Sequence, residues 1–263
     1  MNVSGAKVTV MGLGRFGGGL GVTRWLVDQG AEVLVTDLDA EATLAESVAA
    51  LKDLISKGSV TLRLGGHNVS DFTTCNLVVA NPAVAKPWEN RFLKAAAAAG
   101  IPVTTEIGLT INALPERGCV IGVTGTAGKS TTSALIAHIL NACGRRAVLG
   151  GNIGGSLLTT LDSISRETWV VLELSSFMLH WLSPWSPHIA VVTNISPNHV
   201  DWHGTFEHYQ ASKQALLESQ ESGDIAVLGA GVADWPTQFG VRRVVIGDDA
   251  GVGPLAIPGR HNR

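Results

Sequence analysis

Short apolar runs alternate with amphipathic stretches along the first part of the chain, and this alternation predicts strands separated by helices. We predict strands at Lys7–Met11, Glu32–Asp37, Ser59–Leu64, Asn76–Ala80 and Ile101–Thr105. Helices are predicted from Gly17 to about Gln29, over Ala40–Ser56 and over Glu89–Ala99. Strands that alternate with helices indicate a parallel sheet covered on both faces, so we expect an α/β, Rossmann-like first domain.

A second series of the same kind follows a stretch with the composition of a linker. Asn112–Gly118 contains proline, charge and glycine, so we place a boundary there, between domains of residues 1–114 and 115–263. Strands are predicted at Cys119–Val123, Ala147–Leu149, Trp169–Leu174, Ile189–Ile195, Ile225–Leu228 and Val241–Ile246. Helices are predicted over Ser130–Cys143 and from the cap residue Thr205 to about Ser219. The second domain is therefore also predicted to be α/β.

Composition agrees with this organisation and argues against several classes of protein. Hydrophobic residues make up 45% of the 263 residues and charged residues 16%, which suits two buried cores. The net charge of −3 gives no reason to expect nucleic acid, and no apolar run has the length of a membrane span. The three cysteines are far apart, and we expect no signal peptide, because the first residues lack the basic start and apolar run typical of one. We expect a cytoplasmic monomer without membrane insertion.

The stretch Cys119–Ser133, CVIGVTGTAGKSTTS, has the order of a phosphate-binding loop: a strand, a glycine-rich bend and the start of a helix. Backbone N–H groups in such a bend turn toward phosphate oxygens, and the helix dipole adds to the attraction. Lys129 is expected to reach the β/γ-phosphates, and Ser130 to offer its hydroxyl to Mg²⁺. The usual pattern has glycine in place of Val123, so this loop is a variant. An ordinary strand–helix turn containing a lysine is the alternative.

A second glycine motif lies near the N-terminus. Gly12-Leu13-Gly14-Arg15-Phe16-Gly17 follows the first predicted strand, and Asp37 ends the second. This is the G-x-G-x-x-G fingerprint with a distal acid for a ribose hydroxyl. Taken alone it favours an NAD-dependent oxidoreductase, but any nucleotide-like ligand can use a glycine turn at the start of a helix. Asn81-Pro82 follows the fourth predicted strand, where open α/β sheets bind ligands.

Polar side chains that suit a metal ion follow two strands of the second domain. Glu173 ends an apolar strand, and a buried carboxylate is costly unless it is paired or metal-bound. His199, Asp201 and His203 cluster after the next strand. The carboxyl ends of parallel strands share one edge, so we expect Glu173 and His199 to be metal ligands opposite the glycine loop. A structural salt bridge is the alternative for Glu173, and the roles of Asp201 and His203 stay open.

Lys213 falls on the apolar stripe of the helix that Thr205 caps, four residues after Tyr209. Burial disfavours the charged form of a lysine, so its presence on this stripe needs a reason. In one interpretation the side chain extends to the surface. In the other, a neutral amine reacts with CO₂ to form a carbamate, a carboxylate-like metal ligand. The residues alone do not decide between the two.

Taken in order, these motifs resemble those of the Mur ligase family. They are Gly-Thr-Ala-Gly-Lys-Ser-Thr (125–131), Gly-Gly-Asn-Ile-Gly (150–154), Leu-Glu-Leu-Ser-Ser-Phe (172–177), Asn-Ile-Ser-Pro-Asn-His-Val-Asp (194–201) and Tyr-Gln-Ala-Ser-Lys (209–213). The segments at 150–154 and 172–177 favour the D-glutamate-adding branch of the family, as does the first domain with its glycine turn, Asp37 and Asn81-Pro82. The resemblance covers nearly the whole chain.

The resemblance implies a function for each motif. The substrates would be UDP-N-acetylmuramoyl-L-alanine, ATP and D-glutamate. The UDP-substrate would contact Gly14, Arg15, Asp37, Asn81, Pro82, Asn152 and Ser175. ATP would contact Gly125, Thr126, Ala127, Gly128, Lys129, Ser130 and Thr131. Ser130 and Glu173 would hold one Mg²⁺, and His199 with carbamylated Lys213 would hold the other.

The implied reaction is ATP-dependent amide formation in peptidoglycan precursor synthesis. The γ-phosphoryl group would pass to the substrate carboxylate, and the D-glutamate amine would then attack the acyl phosphate. The catalytic residues would be Lys129, Glu173, His199 and Lys213. The chain departs from the family pattern at Ala127, where asparagine is frequent, at Asn198, where an acid is common, and at Trp202, where arginine is common. The last two departures bear on the charge of the metal site and on substrate contacts.

Ile257–Asn262 (IPGRHN) resembles the motif that opens the last helix of the family's central domain, and the sequence stops at Arg263. The family's third domain would then be missing. We therefore expect a fragment that binds the UDP-substrate but turns over poorly or not at all. The alternatives are another Mur-type or folylpolyglutamate-type ligase, an NAD-dependent oxidoreductase and a non-catalytic nucleotide-binding module.

Overall fold

A computed structural model describes residues 2–14, 17–182 and 184–247 of the chain. Arg15 and Ile257–Asn262, for which the sequence made predictions, lie outside the described residues. The chain divides into two compact units. The first consists of Met1–Ala113 with Gly155–Leu161, and the second of Leu114–Gly154 with Asp162–Arg263.

The first unit is built on a five-stranded parallel sheet with the order β3-β2-β1-β4-β5. Its strands are β1 (Lys7–Met11), β2 (Glu32–Asp37), β3 (Val60–Leu64), β4 (Leu77–Ala80) and β5 (Val103–Thr104). In the central part of the sheet, Met11 pairs with Thr36 on one side and with Ala80 on the other. The loops after β1, β2 and β4 therefore leave the sheet at the same edge, where open parallel sheets bind ligands.

The helices of the first unit agree only in part with the prediction. They are α1 (Gly18–Asp28), α2 (Ala45–Ala49), α3 (Lys52–Ser56), α4 (Val69–Thr73), α5 (Arg91–Ala98) and α6 (Glu106–Ala113). The single helix predicted over Ala40–Ser56 is wrong, because a 3₁₀ turn at Glu41–Leu44 precedes two short helices. The sequence did not predict α6, which takes in the first two residues of the predicted linker.

The segment Gly155–Leu161 follows residues of the second unit in sequence but packs with the first. Leu158 is buried in the same apolar cluster as Leu109 of α6. Ser156 Oγ donates a hydrogen bond to Glu106 Oε1 at 2.6 Å, and burial raises the pKa of Glu106. The first unit is therefore completed by a segment from a distant part of the chain.

The second unit is built on a six-stranded parallel sheet with the order β11-β10-β9-β6-β8-β7. Its strands are β6 (Val120–Thr124), β7 (Ala147–Gly151), β8 (Trp169–Glu173), β9 (Ile189–Val192), β10 (Ile225–Gly229) and β11 (Arg242–Ile246). β6 lies between β8 and β9, and Val123 of β6 pairs with both Glu173 and Val191. The loops that follow these three strands therefore emerge side by side.

Four helices accompany this sheet in the described part of the second unit. They are α7 (Lys129–Ala142), α8 (Ser176–Leu182), α9 (Val200–His203) and α10 (Phe206–Glu218). Thr205 caps α10 as predicted, since its Oγ1 accepts a hydrogen bond from the His208 backbone N–H at 3.1 Å. None of the described helices is both long and apolar enough to cross a bilayer. The two parallel sheets confirm the predicted α/β fold class.

Two neighbouring glycines at the start of α1 test how closely the glycine turn packs against this helix. A Cβ on Gly19 would lie 2.2 Å from the Leu13 carbonyl oxygen, whereas one on Gly18 would meet nothing within 4 Å. We expect Gly19→Ala to lower the free energy of unfolding by about 1–3 kcal/mol, because a backbone carbonyl cannot easily move aside. Gly18→Ala is the matched control and should leave it unchanged or raise it by up to about 1 kcal/mol. Urea denaturation followed by circular dichroism measures both, and equal effects would contradict this packing.

Candidate active site

The glycine-rich loop joins β6 to α7, and two of its glycines are required by geometry. A Cβ on Gly125 would lie only 1.9 Å from Thr193 Oγ1, so a larger residue would collide with the end of β9. Gly128 has a φ of +81° and is the residue that caps α7. The helix then begins at Lys129, and Ser130 is exposed in its first turn. The loop therefore passes directly into an open helix N-terminus.

Residues after β9 hold this loop in a fixed shape. Thr193 Oγ1 donates to the Ala127 carbonyl oxygen at 2.7 Å, and Asn194 Nδ2 donates to the same oxygen at 3.0 Å. Asn194 Oδ1 accepts from the Ala127 N–H at 3.0 Å, and Thr126 Oγ1 lies 2.8 Å from the Tyr209 hydroxyl on α10. Because Ala127 is held through its backbone, these bonds do not need the asparagine that is frequent in the family.

The residues predicted to contact ATP are contiguous around the start of α7. They are Gly125, Thr126, Ala127, Gly128, Lys129, Ser130 and Thr131. Lys129 Nζ donates to the Thr126 carbonyl at 3.1 Å, so its ammonium group lies over its own loop. The N-terminus of a long helix together with a lysine ammonium group beside it favours phosphate groups. This arrangement can bind the phosphates of a nucleotide.

Glu173 is the last residue of β8 and is only 1% exposed. Its Oε1 accepts a hydrogen bond from Asn152 Nδ2 at 2.8 Å, but its Oε2 is buried and has no hydrogen-bond partner in the described part of the chain. None of the ion pairs among the described residues involves Glu173, although its negative charge acts to raise the pKa of Lys213. A bare, buried carboxylate oxygen is costly and fits a cation.

Lys213 lies on the buried face of α10, with 1% of its surface exposed. Its Nζ donates to the Gly125 carbonyl at 2.8 Å and to Thr124 Oγ1 at 3.2 Å. Burial is the main reason why the pKa of Lys213 falls to about 7, and the nearby Lys129 lowers it further. The interpretation in which this side chain extends to the surface is wrong. The amine is held beneath the glycine loop, where a substantial fraction is neutral at physiological pH.

His199 is the cap residue of α9 and has an unusual backbone conformation, with a φ of +52°. The residue is exposed, and its ring meets the ring of Phe177 edge-on with 4.8 Å between centroids. Partial desolvation lowers the pKa of His199, which favours the neutral, metal-binding form of the ring. Asp201 is exposed in the same short helix.

His203 is a residue to which the sequence assigned no role. It is 2% exposed, and its ring nitrogens lie within hydrogen-bond distance of Ser176 and His208. Burial together with neighbouring positive charge lowers the pKa of His203 to about 3, so the ring is neutral. Its position four residues after His199 signalled proximity to the site, but nothing in the sequence indicated its two partners.

In the first unit, the predicted UDP-site residues gather at the carboxyl edge of the sheet. Asn81 follows β4 and packs so closely against Gly12 that a Cβ there would lie 2.9 Å from the Asn81 Cβ. Asp37 Oδ2 accepts hydrogen bonds from the N–H groups of Leu13 and Gly14 at 2.8 and 3.1 Å, and its Oδ1 accepts from Asp39. The Asp37 carboxylate therefore shapes the glycine turn. Pro82 directly follows Asn81 and is half-buried.

The other two residues predicted for the UDP-substrate belong to the second unit. The exposed Asn152 follows β7 and binds Glu173. Ser175 follows β8, and its Oγ accepts a hydrogen bond from the Met178 N–H at 3.2 Å, so it caps α8. Both lie beside Glu173, whereas Gly14, Asp37, Asn81 and Pro82 lie on the first unit.

The residues of the second unit fit a hard divalent cation. The buried Oε2 of Glu173 needs a partner, and the Ser130 hydroxyl and the His199 ring are further donors on elements that leave the same sheet edge. Within residues 2–14, 17–182 and 184–247, no three His, Cys, Asp or Glu side chains are grouped so that they can hold a metal. Any metal here must therefore take hydroxyl, phosphate, water or modified-lysine oxygens as well.

Comparison with known proteins identifies both units. The model of the Mur ligase MurD-like N-terminal domain matches residues 6–105, and that of the Mur ligase middle domain matches residues 123–246. The chain belongs to the Mur ligase family. This agrees with the two parallel sheets and with the phosphate-binding loop on the second.

Within the family, the chain is similar to curated proteins that share one name. The chain is 40% identical over 230 residues to UDP-N-acetylmuramoylalanine--D-glutamate ligase of Koribacter versatilis, a match that covers 88% of this chain and 49% of that protein. The protein of the same name from Roseiflexus sp. is 42% identical over 232 residues, with 88% and 48% covered. The chain thus spans about half the length of the curated relatives it matches.

Solved structures support the fold. UDP-N-acetylmuramate:L-alanyl-gamma-D-glutamyl-meso-diaminopimelate ligase from Neisseria meningitides matches 92% of this chain and 78% of its own, with a TM-score of 0.60 and 18% identity. UDP-N-acetylmuramate-alanine ligase MurC from Thermotoga maritima matches 86% of this chain and 49% of its own, with a TM-score of 0.51 and 22% identity. At these identities the similarity concerns the fold alone.

The burial of Lys213 should make stability depend on pH. Its folded pKa of about 7 lies below the ordinary value of 10.5, so between these values the unfolded state binds more protons and stability rises with pH. From about pH 7 to about pH 9, we expect the wild-type protein to gain unfolding free energy relative to Lys213→Met, by at most about 1.4 kcal/mol per pH unit. Urea denaturation in CO₂-free buffer measures the two slopes, and identical slopes would contradict a desolvated lysine.

Proposed function

We propose that the protein carrying these two domains joins D-glutamate to UDP-N-acetylmuramoyl-L-alanine in an ATP-dependent reaction. Mur ligases are ATP-dependent amide ligases, and the relatives at about 40% identity bear the corresponding name. One observation carries the proposal: the bare, buried Oε2 of Glu173 on the strand beside the glycine loop. A carboxylate oxygen without a protein partner at that point suits a metal ion bound together with nucleotide phosphates.

The first unit would hold the uridine diphosphate end of the substrate. Gly14 and Asn81 lie where the central strands end, and Asp37 fixes the turn between β1 and α1 through its bonds to Leu13 and Gly14. Such a turn presents backbone N–H groups to a diphosphate. In this proposal Asp37 acts chiefly by holding the turn in shape.

The second unit would carry out the phosphoryl transfer. ATP would bind along residues 125–131, with the Lys129 ammonium group neutralising charge as the γ-phosphoryl group leaves. Ser130, Glu173, His199 and carbamylated Lys213 would hold Mg²⁺. When bound, Mg²⁺ neutralises negative charge on the phosphates.

The proposed reaction has two steps, the transfer of a phosphoryl group and the formation of the amide bond. Transfer of the γ-phosphoryl group to the carboxylate of the L-alanyl end makes an acyl phosphate and releases ADP. The D-glutamate amine then forms a bond to the acyl carbon, the carbon–oxygen bond to phosphate breaks, and the amine loses a proton. Phosphorylation is needed because phosphate leaves far more readily than an oxide ion.

Calorimetry with UDP-N-acetylmuramoyl-L-alanine tests the substrate half of the proposal. Asn81 and Asn76 provide a matched pair, because they flank β4 at opposite edges of the sheet; Asn76 Oδ1 accepts from the Lys7 N–H. We expect Asn81→Ala to weaken binding by tenfold or more, as loss of polar contacts to a charged ligand does. Asn76→Ala should leave the affinity unchanged.

NADH serves as the control ligand in the same calorimetric experiment. The proposed function predicts no NADH binding, because the glycine turn of the first unit is proposed to hold the uridine diphosphate of the substrate. Binding of NADH without any response to the UDP compound would overturn the proposal.

Lys213 is proposed to form a carbamate, which labelled CO₂ can detect directly. Protein equilibrated with ¹³C-bicarbonate should give one carbamate carbon signal by NMR, because the Lys213 amine is partly neutral and held beside the loop. Lys213→Met should remove the signal, and Lys94→Met, which changes an exposed lysine of α5, should retain it. A spectrum unaffected by Lys213→Met would contradict the assignment.

A further inference from the structure

The imidazole of His203 is the point where three helices of the second unit meet. Its Nε2 lies 2.9 Å from Ser176 Oγ at the start of α8, and its Nδ1 lies 2.9 Å from His208 Nδ1 on α10. His203 itself ends α9. One buried ring therefore joins α9 to both α8 and α10.

Each of these three helices is attached to a candidate metal ligand. Glu173 ends β8 three residues before Ser176, and Lys213 follows His208 by five residues along α10. His199 begins α9, and its carbonyl accepts the His203 backbone N–H at 3.0 Å. A displacement of the His203 ring would therefore be transmitted to the backbone that carries His199.

The His203–His208 contact also fixes the orientation of both rings. Two Nδ1 atoms 2.9 Å apart are compatible only with a single proton between them, so one ring donates and the other accepts. The second nitrogen of His203 is then committed to the Ser176 hydroxyl in the complementary sense. Neither ring can turn over without breaking the hydrogen bond between the two rings, and a turn of the His203 ring also breaks its buried bond to Ser176.

Aromatic side chains close the remaining sides of His203. The ring centroids of Phe177, Trp202 and Tyr209 lie 5.7, 4.5 and 5.3 Å from that of His203. Phe177 also meets the ring of His199 at 4.8 Å. The rotation of the His203 ring is therefore restricted by packing as well as by hydrogen bonds, and the packing extends to His199.

We propose that His203 is a positioning residue, whose hydrogen bonds to α8 and α10 fix α9 and so hold the His199 ring in its metal-binding orientation. The metal-binding part of this inference rests on the proposed function. A group that orients a ligand commonly changes metal affinity by about 10–100-fold when it is removed. A merely structural histidine would change stability without changing metal affinity.

Mn²⁺, titrated in the presence of ADP and followed by electron paramagnetic resonance, is the probe. We expect His203→Ala to weaken Mn²⁺ binding by at least about tenfold, and His203→Gln, which keeps polar atoms within reach of Ser176, to restore part of it. Ser176→Ala removes one bond and should give a smaller loss, which keeps the test informative if His203→Ala does not fold.

His188→Ala is the matched control, because His188 Nδ1 contacts the Asp224 carboxylate at 2.8 Å elsewhere in the same unit. It should lower the melting temperature while leaving Mn²⁺ affinity within about twofold of wild type. If His203→Ala, His203→Gln and Ser176→Ala behave like His188→Ala, the positioning role is wrong.

A second readout does not depend on metal binding. The Cε1–H NMR resonance of His199 should be shifted in the wild type by the Phe177 ring, and it should move toward the value of an unstructured histidine in His203→Ala. An unchanged His199 resonance would overturn the inference. Failure of the wild type to bind Mn²⁺ with ADP would contradict the proposed function, and the inference would then be decided by this resonance alone.

Discussion

The hydrogen bond from Lys213 Nζ to the Gly125 carbonyl ties the second unit together. A lysine that is 1% exposed must find acceptors inside the protein, and here they are the glycine loop and Thr124 at the end of β6. The bond requires α10 to lie beneath the loop, which in turn places Tyr209 against Thr126. Close approach of Thr193 to Gly125 completes the arrangement. The shape of the loop and the position of α10 therefore depend on each other.

Much of this arrangement could be predicted from the sequence, because the relevant signals are local. Strand β6, the loop and the start of α7 follow one another without interruption, so residue order alone indicated a phosphate site. Lys213 could be assigned to the buried face of α10 because helical periodicity places it in line with Tyr209 and Leu216. The prediction that Thr205 caps this helix likewise depends only on residues close to it in sequence. Such features depend on neighbours within one or two turns.

Features that depend on distant partners could not be predicted. The helix signals over residues 40–56 were real, but Leu44 and Leu51 are fully buried at breaks between short helices, where tertiary packing overrides propensity. Glu106 opens α6, and its half-buried carboxyl group accepts a hydrogen bond from Ser156, fifty residues away. The two partners of His203 likewise lie on other elements. The spacing of apolar residues along the chain does not indicate which residues come into contact across such distances in sequence.

Asp37 and Glu173 show why strand-end acids cannot be assigned by motif alone. Each ends a strand beside a glycine turn, and a ligand-binding role is predicted for both from their positions in the sequence. Asp37 accepts from three backbone N–H groups, so both of its oxygens serve the fold. Glu173 has one oxygen bound to Asn152 and one with no partner among the described residues. Hydrogen bonds within the protein therefore distinguish the two acids, since one oxygen of Glu173 stays without a partner and both oxygens of Asp37 have one. The bonds from Asp37 to Leu13 and Gly14 shape the glycine turn whichever nucleotide-like ligand binds there, so the fingerprint does not by itself indicate NAD.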